Sequence, residues 1–396
     1  MKIAYILPTG SGGLPHYTAE LANAVSKYAE VTVIKPITTT ADNIFHHRVK
    51  VISVFDSPAI SYVDIEKGRV FSLSNLRALL SYRNIKILKS INPDIVHFAA
   101  GSLPPTQIFT RLYNLDKKYP FVITYHYVFP RKLILRGRDV SSAEPLLTVI
   151  FLNIGNLLSK LLPVKISKII VHTMRDRDVL IKKGVVPRKI AVIPHGCYTI
   201  FRSYNTQKGE NSNTILFFGN IIASKGIDTL IDAIPIVAKE IPEIKLIIAG
   251  NGVIPERSWK IIEKYKLNFE VHNYFIPNER VGEFFSRANL VVLPYRGQGG
   301  YSGVLTIAWS FGKLVVTTNV GEFPVLVRDA DCGLVVPPDD PKALAEAIIK
   351  LLRDDELRER MGRNALKMAE KLSWDNIAKM HMKVYEGVLN ERRRRN

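Results

Sequence analysis

The chain has 396 residues, with 55 Lys plus Arg against 36 Asp plus Glu and a formal charge of +19 at pH 7. That length exceeds one ordinary core and suits two domains, and 47% hydrophobic with 23% charged residues excludes a disordered or low-complexity protein. Two cysteines, Cys197 and Cys332, are too few for a disulfide framework or a structural zinc site, which points to a reducing, cytoplasmic compartment.

In chain order, the opening Met-Lys-Ile-Ala-Tyr-Ile-Leu-Pro is too short for the core of a signal peptide and reads as a first strand. Short β-branched runs lie at 3–7, 31–34, 95–98, 121–125, 169–172 and 190–193, and again at 215–218, 245–249, 290–293, 314–317 and 333–336. Their near-continuous apolar character predicts parallel strands buried on both faces, and helical patterns between them predict the crossovers. One helix is expected over 17–28, with Leu21, Ala22, Val25 and Tyr28 on a single stripe, and another over 226–239. The apolar stretch 146–162 is interrupted by Asn153, Asn156 and Lys160 and is too polar to span a bilayer. Residues 204–214, rich in Asn and Gly and without periodicity, predict a linker between domains at 1–203 and 215–373. Helices follow over 341–353 and 355–372, and a last one from Trp374 ends in the basic run 392–395. The pattern is that of an α/β protein with two doubly wound, Rossmann-like domains; if they face each other, their strand carboxyl ends share one cleft.

Three strand–loop–helix junctions carry glycine. In Thr9-Gly10-Ser11-Gly12-Gly13-Leu14-Pro15-His16, the glycines let the backbone approach a ligand and the helix start offers free N–H groups. The loop lacks the spacing of the dinucleotide fingerprint, and as a mere tight turn it needs no ligand. Phe217-Phe218-Gly219-Asn220-Ile221-Ile222-Ala223-Ser224-Lys225-Gly226 puts Lys225 just before a helix, as a counter-charge for phosphate; it is not a P-loop. In the third, strand 290–293 ends in a glycine loop, and Ser302 stands where it would cap a helix running to about Phe311. The amides of Gly303, Val304 and Leu305 then face an anion, and Arg296 adds a bidentate phosphate donor. His97, His126, His172 and His195 each follow or end an apolar run, as packing histidines or as ligand contacts. No His/Asp cluster with metal-ligand spacing is evident, so no metal or cofactor is expected. The basic tail lacks the motifs that accompany nucleic-acid binding, and no nucleic-acid partner is expected.

The order of the Gly-rich N-terminal loop, Gly219 with Lys225-Gly226, Ala249-Gly250-Asn251-Gly252, Pro294-Tyr295-Arg296, Ser302-Gly303-Val304-Leu305, Phe311-Gly312-Lys313-Leu314 and Thr317-Thr318-Asn319-Val320-Gly321-Glu322 resembles family 4 of the retaining glycosyltransferases, which have the GT-B fold. The likeness extends to Ser373-Trp374, where the last helix of that family crosses back to the N-terminal domain, and is strongest over 215–338. It implies sugar transfer from a nucleotide-sugar donor to a glycan or lipid-linked acceptor, with retention of configuration. Lys225 would neutralise the donor diphosphate and the amides of Gly303, Val304 and Leu305 would cradle it, alongside Gly219, Gly250 and Arg296. Gly12 and Gly13 would close over the donor, and His126 would contact the transferred sugar. His16, His195 and Glu322 are weaker candidates for the acceptor side of the cleft.

The chain departs from the family at the two glutamates spaced eight apart, which align with Gly299 and Ile307, and at the arginine beside the phosphate lysine, which aligns with Asn220. Gln298 and Glu322 are the candidate replacements for holding donor hydroxyls, and Arg296 for the missing phosphate charge. The same departures leave open a non-catalytic nucleotide-sugar-binding protein; a GT-B epimerase would need a carboxylate cluster that is not evident. Arg131, Lys132, Arg136 and Arg138, preceding the 146–162 stretch, are candidates for docking on anionic lipid.

Overall fold

The computed structural model describes residues 1–56, 73–128, 163–204, 212–297 and 301–394. The expectations for Gln298 and Gly299, for the basic cluster Arg131 to Arg138 with the stretch 146–162, for residues 205–211 of the linker and for Arg395 lie outside the described residues.

The chain divides into two compact units, Met1–Pro194 with Trp374–Asn396, and His195–Ser373. The division lies at Pro194/His195, before the polar stretch at 204–214. The reason is local: Cys197, Tyr198 and Phe201 are buried, and the Cys197 amide donates to the Leu372 carbonyl at 2.9 Å, so this segment is part of the second core.

The first unit is a seven-stranded parallel sheet of β1 (Lys2–Ile6), β2 (Glu30–Pro36), β3 (Val49–Phe55), β4 (Ile95–Phe98), β5 (Phe121–Tyr125), β6 (Ile166–Val171) and β7 (Ile190–Val192), in the order β3-β2-β1-β4-β5-β6-β7. The strand order reverses between β1 and β4, which pair in parallel with Tyr5 opposite His97. The first helix is Gly13–Val25, four residues earlier than expected, and Tyr28 lies beyond it and 43% exposed. Gly12, at a φ of 79°, provides the turn that starts the helix there. Its apolar face packs on the last helix, Trp374–Arg393, which belongs to this unit.

The second unit has six parallel strands, β8 (Thr214–Phe218), β9 (Lys245–Ala249), β10 (Phe269–His272), β11 (Leu290–Leu293), β12 (Leu314–Thr318) and β13 (Gly333–Val336), in the order β10-β9-β8-β11-β12-β13. Its core is built from the Ile, Val and Leu side chains of β8, β9, β11 and β12 with Ile227–Glu240 and Pro341–Arg353 packed on one face. The order again reverses between the first strand of the unit and the fourth. Such a switch point leaves a crevice at the strand carboxyl ends, where ligands of doubly wound sheets bind. No helix among the described residues is long and apolar enough to cross a membrane.

Candidate functional site

In the second unit the switch point lies between β8 and β11. β8 ends at Gly219, whose φ of 110° turns the chain out of the sheet. A side chain added there would meet the Val304 Cγ2 at 3.5 Å, so the end of β8 lies against the start of the helix Gly303–Ser310. Gly250 and Gly252 follow β9. A Cβ on Gly250 would sit 1.8 Å from the Gly219 carbonyl oxygen, and one on Gly252 would sit 2.0 Å from that of Ile221. The packing of two backbones therefore demands glycine at 250, a cause different from the donor contact expected of it.

Lys225 ends a short 3-10 turn, Ala223–Lys225, and Gly226 then opens the helix Ile227–Glu240 at a φ of 65°. Gly226 is pressed against the Pro294 carbonyl, 1.9 Å from where its Cβ would stand, and the Arg296 amide donates to the Ser224 carbonyl at 2.9 Å. These contacts bring Lys225 over the end of β11: its Nζ lies 3.5 Å from the centroid of the Tyr295 ring. Lys225 has no carboxylate partner among the described residues.

Two sequence expectations change at this point. Ser302 stands at the N-cap of Gly303–Ser310 but makes no capping bond; its hydroxyl is instead 3.1 Å from that of Tyr295. The first amides of the helix, those of Gly303, Val304 and Leu305, therefore have neither an intrahelical acceptor nor the Ser302 cap. Arg296 is not a free phosphate donor. Its Nη1 pairs with Asp228 at 2.8 Å, its Nε with Asp339, and its Nη2 donates to Thr229 at 2.9 Å. Two carboxylates thus neutralise it, and it staples the segment after β11 to the start of the helix Ile227–Glu240 and to the segment after β13. Burial pushes the Asp228 carboxyl up, but the hydrogen bonds and charge of Arg296 and Arg257 outweigh this and hold it below the usual range.

Beside the helix start, His195 is buried and stacks on Tyr301 with ring centroids 5.5 Å apart and planes 9° apart. Its Nδ1 donates to the Gly196 carbonyl at 2.7 Å. Burial, and after it the nearby Cys197, Cys332 and Glu322, pushes the Tyr301 hydroxyl well above its ordinary value. His195 thus packs on Tyr301, and Glu322 lies in the same neighbourhood. Ile307, where the family's second glutamate would stand, is buried. Tyr295 has no role among the sequence expectations; an aromatic residue at a strand end on a switch point is the one local signal it carries.

In the first unit, Gly12 and Gly13 lie at the end of β1, exposed, with nothing within 4 Å of a Cβ built on either. His16 is buried, its Nδ1 donating to the Gly12 carbonyl at 3.2 Å, a bond that fixes the loop. His126, after β5, meets the edge of Tyr17 with centroids 4.4 Å apart. Its Nε2 donates to the Ala99 carbonyl at 2.8 Å and its Nδ1 lies 3.2 Å from His172 Nε2. Burial lowers the His126 pKa to about 4, so the ring is neutral at pH 7 and is not poised as a general acid. Among the described residues no group of three or more His, Cys, Asp or Glu could hold a metal ion.

The profile described as Glycosyltransferase Family 4 matches residues 11–199, and that described as Glycosyl transferases group 1 matches residues 202–368. The chain belongs to the family 4 glycosyltransferases of GT-B fold. The phosphatidyl-myo-inositol mannosyltransferase of Mycobacterium leprae is 29% identical over 179 residues, 44% of this chain and 46% of that protein; the chain spans about half the length of such curated relatives. Among solved structures, sucrose-phosphate synthase from Thermosynechococcus elongatus superposes with a TM-score of 0.71 at 19% identity, covering 99% of this chain and 100% of that one. The Anabaena protein HepE in complex with UDP-glucose gives 0.68 at 17% identity, covering 98% and 100%. At these identities the likeness establishes the fold alone.

Proposed function

We propose that this chain transfers a sugar from a nucleotide-sugar donor to a hydroxyl of a glycan or lipid-linked acceptor, with retention of configuration and without a bound metal. One observation carries this reading: the uncapped amides of Gly303, Val304 and Leu305 and an ammonium with no carboxylate partner among the described residues, Lys225, meet at one switch point. Amides at a helix start and a nearby cation favour an anion. A donor diphosphate becomes more negative as the sugar bond breaks, so donors aimed at that charge lower the barrier. Glu322 and His195, near Tyr301, are assigned to the transferred sugar and the acceptor.

Gly12 and Gly13 are assigned to the approach of donor and acceptor; no packing contact within 4 Å demands glycine at either. His126, its ring nitrogens engaged by Ala99 and His172, is assigned to shaping the surface that meets the transferred sugar. Substitution proceeds on one face of the sugar, the leaving phosphate oxygen taking the acceptor proton, with no protein nucleophile. HepE was solved with UDP-glucose, which supports a nucleotide-sugar donor, and the mycobacterial relative is named for phosphatidyl-myo-inositol, which supports a lipid-linked acceptor; peripheral contact with an anionic membrane is part of the same proposal.

The test is a screen of UDP-, GDP- and ADP-sugars, with and without chelator. Release of one free nucleotide, unaffected by chelator, is the expected result. Lys225→Ala should raise the barrier by about 2–4 kcal/mol, the scale for removing one preorganised charge-stabilising donor. Saturable binding without release, even with acceptor extracts present, would replace the transferase with a nucleotide-sugar-binding protein. Full turnover by Lys225→Ala at saturating donor would remove the lysine from the mechanism.

A further inference from the structure

The two cations at the second switch point are held in opposite ways. Arg296 is locked between the carboxylates of Asp228 and Asp339, which cancel its charge. Lys225 is held by a ring that leaves its charge intact, with Nζ 3.5 Å from the centroid of Tyr295. That ring is fixed on every side the structure describes. Tyr295 is buried, the Phe323 ring meets it at 5.1 Å and 63°, its carbonyl accepts from Thr318 Oγ1, and its hydroxyl lies 3.1 Å from that of Ser302. Ser302 is in turn the residue that precedes the amides of Gly303, Val304 and Leu305. Tyr295 therefore touches both components of the anion site, the lysine through its face and the helix start through its hydroxyl.

We propose that Tyr295 is a positioning residue that holds the Lys225 ammonium beside the first amides of Gly303–Ser310 before the donor diphosphate arrives. This rests on the assignment of Lys225 to that diphosphate. An ammonium over a tyrosine face is attracted by the ring quadrupole. A lysine side chain with four rotatable bonds otherwise loses its rotamer freedom at the moment of binding. A carboxylate in the same place would order the lysine equally well but neutralise it. The ring orders it and leaves its outward N–H groups for phosphate oxygens.

The experiment is a double-mutant cycle in the full chain: wild type, Tyr295→Leu, Lys225→Ala and the double variant. Binding of UDP, GDP and ADP is measured by calorimetry, and the cycle is completed with the nucleotide the wild type binds most tightly. Tyr295→Leu should weaken binding about three- to tenfold, the scale of a cation–π contact, and should add nothing in the Lys225→Ala background, because the ring acts only through the lysine. Tyr295→Phe, which keeps the ring and loses only the Ser302 contact, should recover most of the loss. An equal loss in both backgrounds would make the ring a structural prop and overturn the proposal while leaving Lys225 in place. Tighter or unchanged binding by Tyr295→Leu would also overturn it, since the ring would then compete with phosphate or be idle. Unchanged binding by Lys225→Ala would overturn both this role and the diphosphate assignment beneath it. If Tyr295→Leu does not fold, lysine-methyl NMR of the dimethylated wild type decides the matter: one resonance, lost in Lys225→Arg, should be shifted upfield by the ring, and its absence would sink the idea.

Discussion

The two switch points are built from the same sequence material and differ in what their glycines are for. In the second unit, Gly226, Gly250 and Gly252 each have positive φ, and a Cβ at each would fall 1.8 to 2.0 Å from a backbone carbonyl oxygen. The loops after β8, β9 and β11 are thus packed backbone on backbone, and the anion site rests on a floor that admits no side chains. In the first unit, a Cβ at Gly12 or Gly13 meets nothing within 4 Å. Gly12 is needed for its φ of 79°, but neither position is crowded by the fold. A glycine-rich loop in a sequence therefore has two readings, close packing or empty space, and only the space around it tells them apart.

The largest expected effect tests the packed side. Gly250→Ala should cost roughly 2–6 kcal/mol, combining backbone strain at positive φ with a clash that neighbouring backbone cannot relieve. A fall in the denaturation midpoint with little change in slope would register it. If Gly250→Ala proved as stable as wild type, the rigid cradle would be lost as an explanation, and the glycine would revert to the ligand contact expected from sequence.

Acid should separate the two units next. In the first, burial lowers His126 and His381 to about 4 and holds His97 well below its ordinary value. Each is depressed relative to its unfolded value, so each contributes stability that is complete above about pH 6.5 and is lost as pH falls toward 4. In the second, the hydrogen bond from Arg287 leads the effects that hold Glu270 at about 2, and Asp228 is also depressed; their contribution survives until pH drops below the ordinary carboxylate range. Hydrogen-exchange protection, pulse-labelled at one pH after equilibration at pH 7, 5.5 and 4.5, should fall first in the sheet of the first unit, by an amount on the order of a few kcal/mol. Equal loss in both units would show that the buried histidines are protonated without opening the core.

Arg296 gives a smaller effect of opposite pH sense to a free phosphate donor. Arg296→Met leaves Asp228 with Arg257 alone and should cost about 1–2 kcal/mol at pH 7, discounted for partial exposure of the pair. The deficit should fade as pH falls below about 4 and Asp228 is protonated. Nucleotide affinity should drop only as far as the turn bearing Lys225 loosens. A salt-sensitive collapse of nucleotide binding with unchanged stability would return Arg296 to the phosphate.

These contrasts explain what the sequence made legible. The interior strands β4, β5, β9 and β11 coincide with apolar runs because parallel strands covered on both faces are mostly apolar. β3 and β10 are sheet edges, as β13 is, but unlike β13 they interrupt their apolar residues with charge, Lys50 in the first and Glu270 in the second. Val49–Phe55 is partly exposed along its length, and Glu270 in β10 spends its carboxylate on Arg287 and His272. At the site, Lys225 and the helix start were visible because each is a local pattern. The partners that decide their chemistry are not local. Ser302 is diverted from its cap by Tyr295 across the glycine loop, and Arg296 is claimed by Asp228 and Asp339 from distant segments.

The smallest expected change in stability is also the sharpest test of the open side. Gly13 is the first residue of the helix Gly13–Val25, a position where alanine is at least as favourable as glycine, and its Cβ would enter open space. Gly13→Ala should therefore shift stability by no more than about 0.5 kcal/mol in either direction. Sugar transfer should nevertheless fall, because a methyl group would stand where donor or acceptor is assigned to approach. Steady-state kinetics beside a melting curve separates the two. Unchanged kinetics would mean that the space beside Gly13 is left for solvent. The two switch points would then differ in how tightly they pack, but only the second would carry a substrate.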